Sequence, residues 1–144
     1  MNRTASAISL FLWSAALQAQ LELKERVLGD NYLTRVSPAA FEKAPKWKDS
    51  DEHPPVSARK AIKLATSALE SSIDTPKGWK WEISEAALKS FRGNWYWQVT
   101  FESRRREGDG QFASTKLRIV VLMDGNAVKP MLCVPFADFE GMRP

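Results

Sequence analysis

Trp95-Tyr96-Trp97-Gln98-Val99-Thr100-Phe101-Glu102 is the stretch whose reading decides the fold. Trp95, Trp97, Val99 and Phe101 recur at every second position, the period of a β-strand with one buried face, and aromatic and β-branched residues suit a pleated surface. Upstream, Trp79, Trp81 and Ile83 alternate with Lys80, Glu82 and Ser84, and this second strand runs on toward Phe91. Arg92-Gly93-Asn94 then supplies a turn between the two. Downstream, the charged loop from Arg104 to Gly110 leads to a third strand, Lys116 to Met123, and Asp124-Gly125-Asn126 turns it into a shorter fourth, Ala127 to Lys129. Four consecutive strands with short connections predict an antiparallel meander.

A helix precedes the meander. Pro54-Pro55 lead to Ser57, whose hydroxyl suits a helix cap, and Ala61, Ile62, Ala65, Ala68, Leu69 and Ile73 recur at the spacing of one helical face. Val56 and Ala61 stand where a hydrophobic staple would join them. Arg59, Lys60, Lys63, Ser67, Glu70 and Ser71 fill the opposite face, so the alanine-rich stripe needs a broad apolar partner. The fold class expected from this is α+β: one main helix packed on an antiparallel sheet of three to four strands.

Residues 1–19 read as a signal peptide, with Arg3 at the start, an apolar run from Ala5 to Leu17 and a small-residue exit at Ala15, Ala16 and Ala19. Ser6, Ser9 and Ser14 interrupt the run, which is shorter than the roughly 20 apolar residues that span a bilayer. The expectation is an exported protein, periplasmic or secreted, with no stable membrane insertion once the leader is removed. Residues 20–55 form an N-terminal extension and a proline-rich linker. Within it, Leu21 to Val36 fits a strand pair or a short helix, and Ser37 to Pro55 holds four prolines and a charged cluster, with Trp47 pinning the segment to the body. The main domain spans 56–135, and 136–144 is a tail. Cys133 has no second cysteine to pair with, and its apolar surroundings, Met131, Leu132 and Val134, predict a buried small side chain.

Composition narrows the function classes. Over 144 residues, 44% are hydrophobic and 26% charged, as in ordinary folded domains. The formal net charge is only +4, and basic and acidic residues alternate along most of the chain, which argues against a nucleic-acid partner, since each phosphate contact calls for a concentrated basic face.

Catalysis has little to work with. The single histidine, His53, lies in the linker, so neither a serine nor a cysteine nucleophile has an evident base. Asp49, Asp51, Glu52 and His53 are the one dense acidic group, and they lack the bend glycine and terminal glutamate of a calcium loop. The Gly108-Asp109-Gly110 turn precedes a strand and carries an acid that repels phosphate. Glu82, Glu85 and Glu102 read as the polar face of the sheet, with nothing in the pattern to bring two of them into one pocket. The chain is therefore expected to be no enzyme and to use no metal and no cofactor.

Pro54-Pro55-Val56-Ser57-Ala58-Arg59-Lys60-Ala61-Ile62-Lys63-Leu64-Ala65, then Trp95-Tyr96-Trp97-Gln98-Val99-Thr100-Phe101, then Val120-Val121-Leu122-Met123-Asp124-Gly125-Asn126-Ala127-Val128, resemble the PepSY family in order and character. The resemblance covers residues 54 to 130 and implies a somewhat cystatin-like helix-on-sheet fold in a bacterial protein outside the cytoplasm. It also implies a role in restraining peptidases; the Asp124-Gly125-Asn126 turn is tighter than the usual family hairpin.

Candidate binding residues are aromatic and basic. The chain has six tryptophans, and Trp79, Trp81, Trp95 and Trp97 alternate on two adjacent strands as one cross-strand patch, which is the core beneath the helix; otherwise the patch, or the Tyr96 side of the sheet, faces outward and binds a peptide strand or sugar ring. Arg104, Arg105 and Arg106 follow, where bidentate contacts would hold an acidic partner. The leading expectation is a non-enzymatic exported binding module for a protein partner, a peptidase or a cell-envelope protein. The alternative is a carbohydrate or small-ligand binder built on exposed tryptophans.

Overall fold

The computed structural model describes residues 20–134, so the expected leader and the 136–144 tail lie outside the described residues. The elements are β1 (Leu21–Val27), β2 (Asp30–Val36), α1 (Pro38–Lys43), α2 (Ala58–Ser72), β3 (Lys80–Phe91), β4 (Asn94–Arg106), β5 (Phe112–Leu122), β6 (Ala127–Val128) and β7 (Met131–Leu132). They form two antiparallel sheets, β1-β2-β7 and β3-β4-β5-β6.

The expected architecture, one main helix on a single sheet, is overturned. Strands make up 47% of the described residues and helices 18%, and one of the two sheets curls into a half-barrel. The protein is mainly β. The N-terminal extension causes the difference: its strand pair builds a second sheet, and β7, read only as an apolar stretch, completes it. Leu21, Val27, Val36, Phe41 and Ala44 are buried in the same cluster as Val99, Phe101 and Ile119.

Local chemistry explains each element. The β1–β2 and β3–β4 hairpins close through two-residue loops, Leu28-Gly29 and Arg92-Gly93, in which both residues have positive φ. Such primed turns match strand twist, and glycine adopts them freely whereas Leu28 does so at a cost of about 1–2 kcal/mol. Ser37 and Ser57 cap α1 and α2, their hydroxyls accepting from the Ala40 and Lys60 backbone N–H groups. Each cap contributes about 1 kcal/mol. Val56 and Ala61 are both buried, as the staple predicts.

Alternation along β4 and β5 defines two faces. Trp97, Val99 and Phe101 share one with Val121, Ile119 and Leu117, their cross-strand partners, and α2 packs across β4, β5 and β6. Tyr96 and Leu122 lie on the other, where Phe41 of α1 meets Tyr96 at 6.0 Å and Phe91 at 5.9 Å between ring centres. In β3 a bulge at Ser84 inserts one residue, so Leu88 falls opposite Trp97 while Phe91 turns to the α1 side. β1 lies against β5, where Glu25 accepts from the Arg118 backbone N–H at 2.9 Å and from its guanidinium at 2.6 Å.

Candidate functional site

The four strand tryptophans do not form one patch. Trp81 stands opposite Ser103 and Trp97 opposite Leu88, which separates their rows by about 20 Å along β4. Trp97 is core, 8% exposed, with its indole N–H donating to the Val56 carbonyl at 2.7 Å. Trp95 is half-buried and meets Trp47 edge-on at 5.2 Å; the Trp47 Nε1 is itself buried with no hydrogen-bond partner among the described residues. Trp81, also half-buried, donates to the Thr75 hydroxyl at 2.9 Å. Tyr96 is buried beneath α1, and that burial raises its phenol pKa, against a smaller opposing pull from the Arg118 charge.

The arginine run divides because neighbours on a strand point to opposite faces. Arg104 is neutralised by Glu102, with Nε and Nη2 at 3.0 and 2.9 Å from one carboxylate oxygen. Arg106 is exposed at the end of β4. Arg105 places its guanidinium 5.9 Å from the centre of the Trp79 ring.

Trp79 and Arg105 belong to a cleft of about 440 Å³ that they share with Arg26, Leu28, Gly29, Pro76, Ser114 and Thr115. Three remote stretches build it: the β1–β2 turn, the α2–β3 loop, and the outer ends of β4 and β5. The Leu28 backbone N–H donates to the Thr115 hydroxyl at 3.3 Å, which ties the strained turn to β5. Among the described residues no carboxylate lines the cleft, and neither Arg26 nor Arg105 makes an ion pair. Two arginines and an indole therefore line a concavity of ligand size. Sequence reasoning found Trp79 and Arg105 and missed the rest, because Arg26 looks like any polar position of a surface strand. The Leu28-Gly29 turn was the available signal.

A second concavity of about 460 Å³ lies between Lys80, Glu82, Ile83, Ser84, Glu102 and Arg104. Here the expectation that no two carboxylates share a pocket is corrected: the register sets Glu82 directly opposite Glu102, while Glu85 faces Thr100. Lys80 and Arg104 sit opposite each other in the next row, so the charges offset within the pocket.

His53 and its neighbour Glu52 are both solvent-exposed, 3.5 Å apart. Cys133 is exposed rather than buried, because β7 runs along the outside of β2 with the Cys133 N–H donating to the Asn31 carbonyl at 2.8 Å. Among the described residues no group of three His, Cys, Asp or Glu side chains is placed to hold a metal ion, and no helix is long and apolar enough to cross a membrane. No protein-family model matches the chain, and no curated protein and no solved structure matches it.

Proposed function

We propose that this chain is an exported, non-enzymatic binding module that holds a protein partner, a peptidase or a cell-envelope protein, in the cleft between the β1–β2 turn and the outer ends of β4 and β5. One observation carries the reading: Trp79, Arg105 and Arg26, from three separate parts of the chain, line one concavity in which no acid stands among the described residues. Aromatic and arginine side chains supply most of the energy at protein interfaces. Export rests on the character of residues 1–19.

The test is capture by the chain starting at Gln20 from a cell-envelope fraction, in parallel with its Trp79→Ala variant. A partner held by the parent and lost from the variant supports the reading; equal capture by both removes the cleft from it. Inhibition assays against secreted metalloproteases test the peptidase form of the proposal, with no inhibition counting against it.

The alternative of a sugar ligand draws on the half-buried Trp79, which lines the same cleft as Ser114 and Thr115. Titration with oligosaccharides, read by tryptophan fluorescence, separates the two.

A further inference from the structure

We infer that the cleft takes an acidic peptide segment of a protein partner, in which two carboxylates lie close to an apolar side chain. This deepens the binding-module reading and rests on it. The arginines of this protein differ in what holds them. Arg35, Arg104 and Arg118 each have a carboxylate within 3.0 Å, and each is committed to the fold. Arg26 and Arg105 make no ion pair among the described residues, and these two share a cleft.

Arg105 is also pre-positioned. Its guanidinium lies against the Trp79 ring, and its side-chain Cδ passes 3.7 Å from where a Cβ on Gly78 would stand, so the side chain is laid along the β3 approach. A guanidinium held by an aromatic ring keeps its N–H fork free for bidentate contact with a carboxylate and has lost part of its rotational freedom in advance. Leu28, Pro76 and Trp79 add apolar surface to the same cleft, which calls for an apolar residue beside the acids.

Phosphate-rich ligands fit less well. Nucleic acid needs cations in rows, and the cleft offers two. About 440 Å³ accommodates a few side chains rather than a polymer backbone with its counterions.

The chain itself contains such a sequence, Asp138-Phe139-Glu140. It provides the probe: a ten-residue peptide with the sequence of residues 135–144, and a control with Asp138→Asn and Glu140→Gln. Binding is measured by calorimetry and tryptophan fluorescence on two proteins, the chain from Gln20 to Pro144 and its own Asp138→Asn, Glu140→Gln variant, so that competition from within the molecule is visible. Saturable binding of the acidic peptide to the variant, at least tenfold tighter than the amide control and at least tenfold weakened by Arg105→Gln and by Arg26→Gln, is the expected result. Equal binding to the two proteins is expected of a cleft kept for a partner; tighter binding to the variant than to the parent would show that the chain's own acidic sequence occupies it and would overturn the assignment to a partner.

Equal affinity for acidic and amide peptides overturns the inference, as does insensitivity to both arginine changes, or a single-stranded oligonucleotide binding more tightly than the peptide. If an envelope protein is captured in a Trp79-dependent way yet is not displaced by the acidic peptide, the ligand class is wrong while the binding-module reading stands.

Discussion

The two ends of β4 obey one alternation and meet opposite fates. At its start Tyr96, Trp97, Gln98 and Val99 are buried in succession, both faces covered; at its finish Arg104, Arg105 and Arg106 are exposed in succession, both faces open. The difference lies in what reaches each end. α2 covers one face of the start and α1 the other, whereas the finish meets loop and turn residues: Trp79 beside Arg105, and the Leu28-Gly29 turn tied to the neighbouring β5 through Thr115. A strand's own pattern says which side chains share a face, and neighbours distant in sequence decide which faces see water.

Two phenylalanines break or confirm this contrast most sharply. Phe101 of β4 is 2% exposed and Phe112 of β5 is 66% exposed. Phe101→Ala is expected to cost about 3–5 kcal/mol in urea unfolding, from lost apolar burial and the cavity left behind. Phe112→Ala is expected to stay within about 0.5 kcal/mol, as an exposed position does. Similar costs at both sites would mean that the open end is covered after all.

The next largest effect falls where β1 meets β5. Glu25 has a side chain 9% exposed and serves both the backbone and the guanidinium of Arg118, which is 36% exposed. Glu25→Ala leaves a β5 N–H and a half-covered cation unpaired, and about 2–3 kcal/mol of stability should be lost. Glu25→Gln keeps an acceptor for the N–H and should lose less. If both variants unfold at the parent's denaturant midpoint, β1 is held by packing alone. A smaller effect follows at Ser57→Ala, about 1 kcal/mol in the same measurement, because one N–H at the start of α2 loses its acceptor.

Much of the covered end was legible in the sequence, and little of the open end. The helix from Ser57 and the turns at Arg92-Gly93 and Asp124-Gly125 announce themselves through capping and glycine chemistry that acts within a few residues. The bulge at Ser84 does not: a run of period two from Trp79 to Phe91 puts Phe91 on the tryptophan face, and one inserted residue moves it to the α1 face. α1 was hidden among the prolines of the linker, although Ser37 followed by Pro38 is itself a helix start. The cleft was least visible. Arg26 and Arg105 come together only because the β1–β2 hairpin folds back on β5, a contact across 87 residues that no local pattern encodes.

The smallest expected effect sharpens the comparison by pH rather than by truncation. Tyr96 lies under α1 at the covered end, and burial raises its phenol pKa above the ordinary 10.0, more than the Arg118 charge lowers it. The folded protein thus prefers the neutral phenol, and this preference contributes stability in full below pH 10.0. As pH rises beyond that value the unfolded chain sheds the proton first, and the contribution is gone once the pH passes the raised folded pKa. Tyr96→Phe cannot titrate, so its urea midpoint should lie close to the parent's at pH 8 and fall less steeply above pH 10. Tyr32, raised by burial and then by Asp30 and Asp74, acts in the same direction, so a residual alkaline loss is expected in the variant. If parent and variant lose stability in parallel above pH 10, water reaches the Tyr96 hydroxyl and α1 does not close that face, which would place the start of β4 in the same class as its finish.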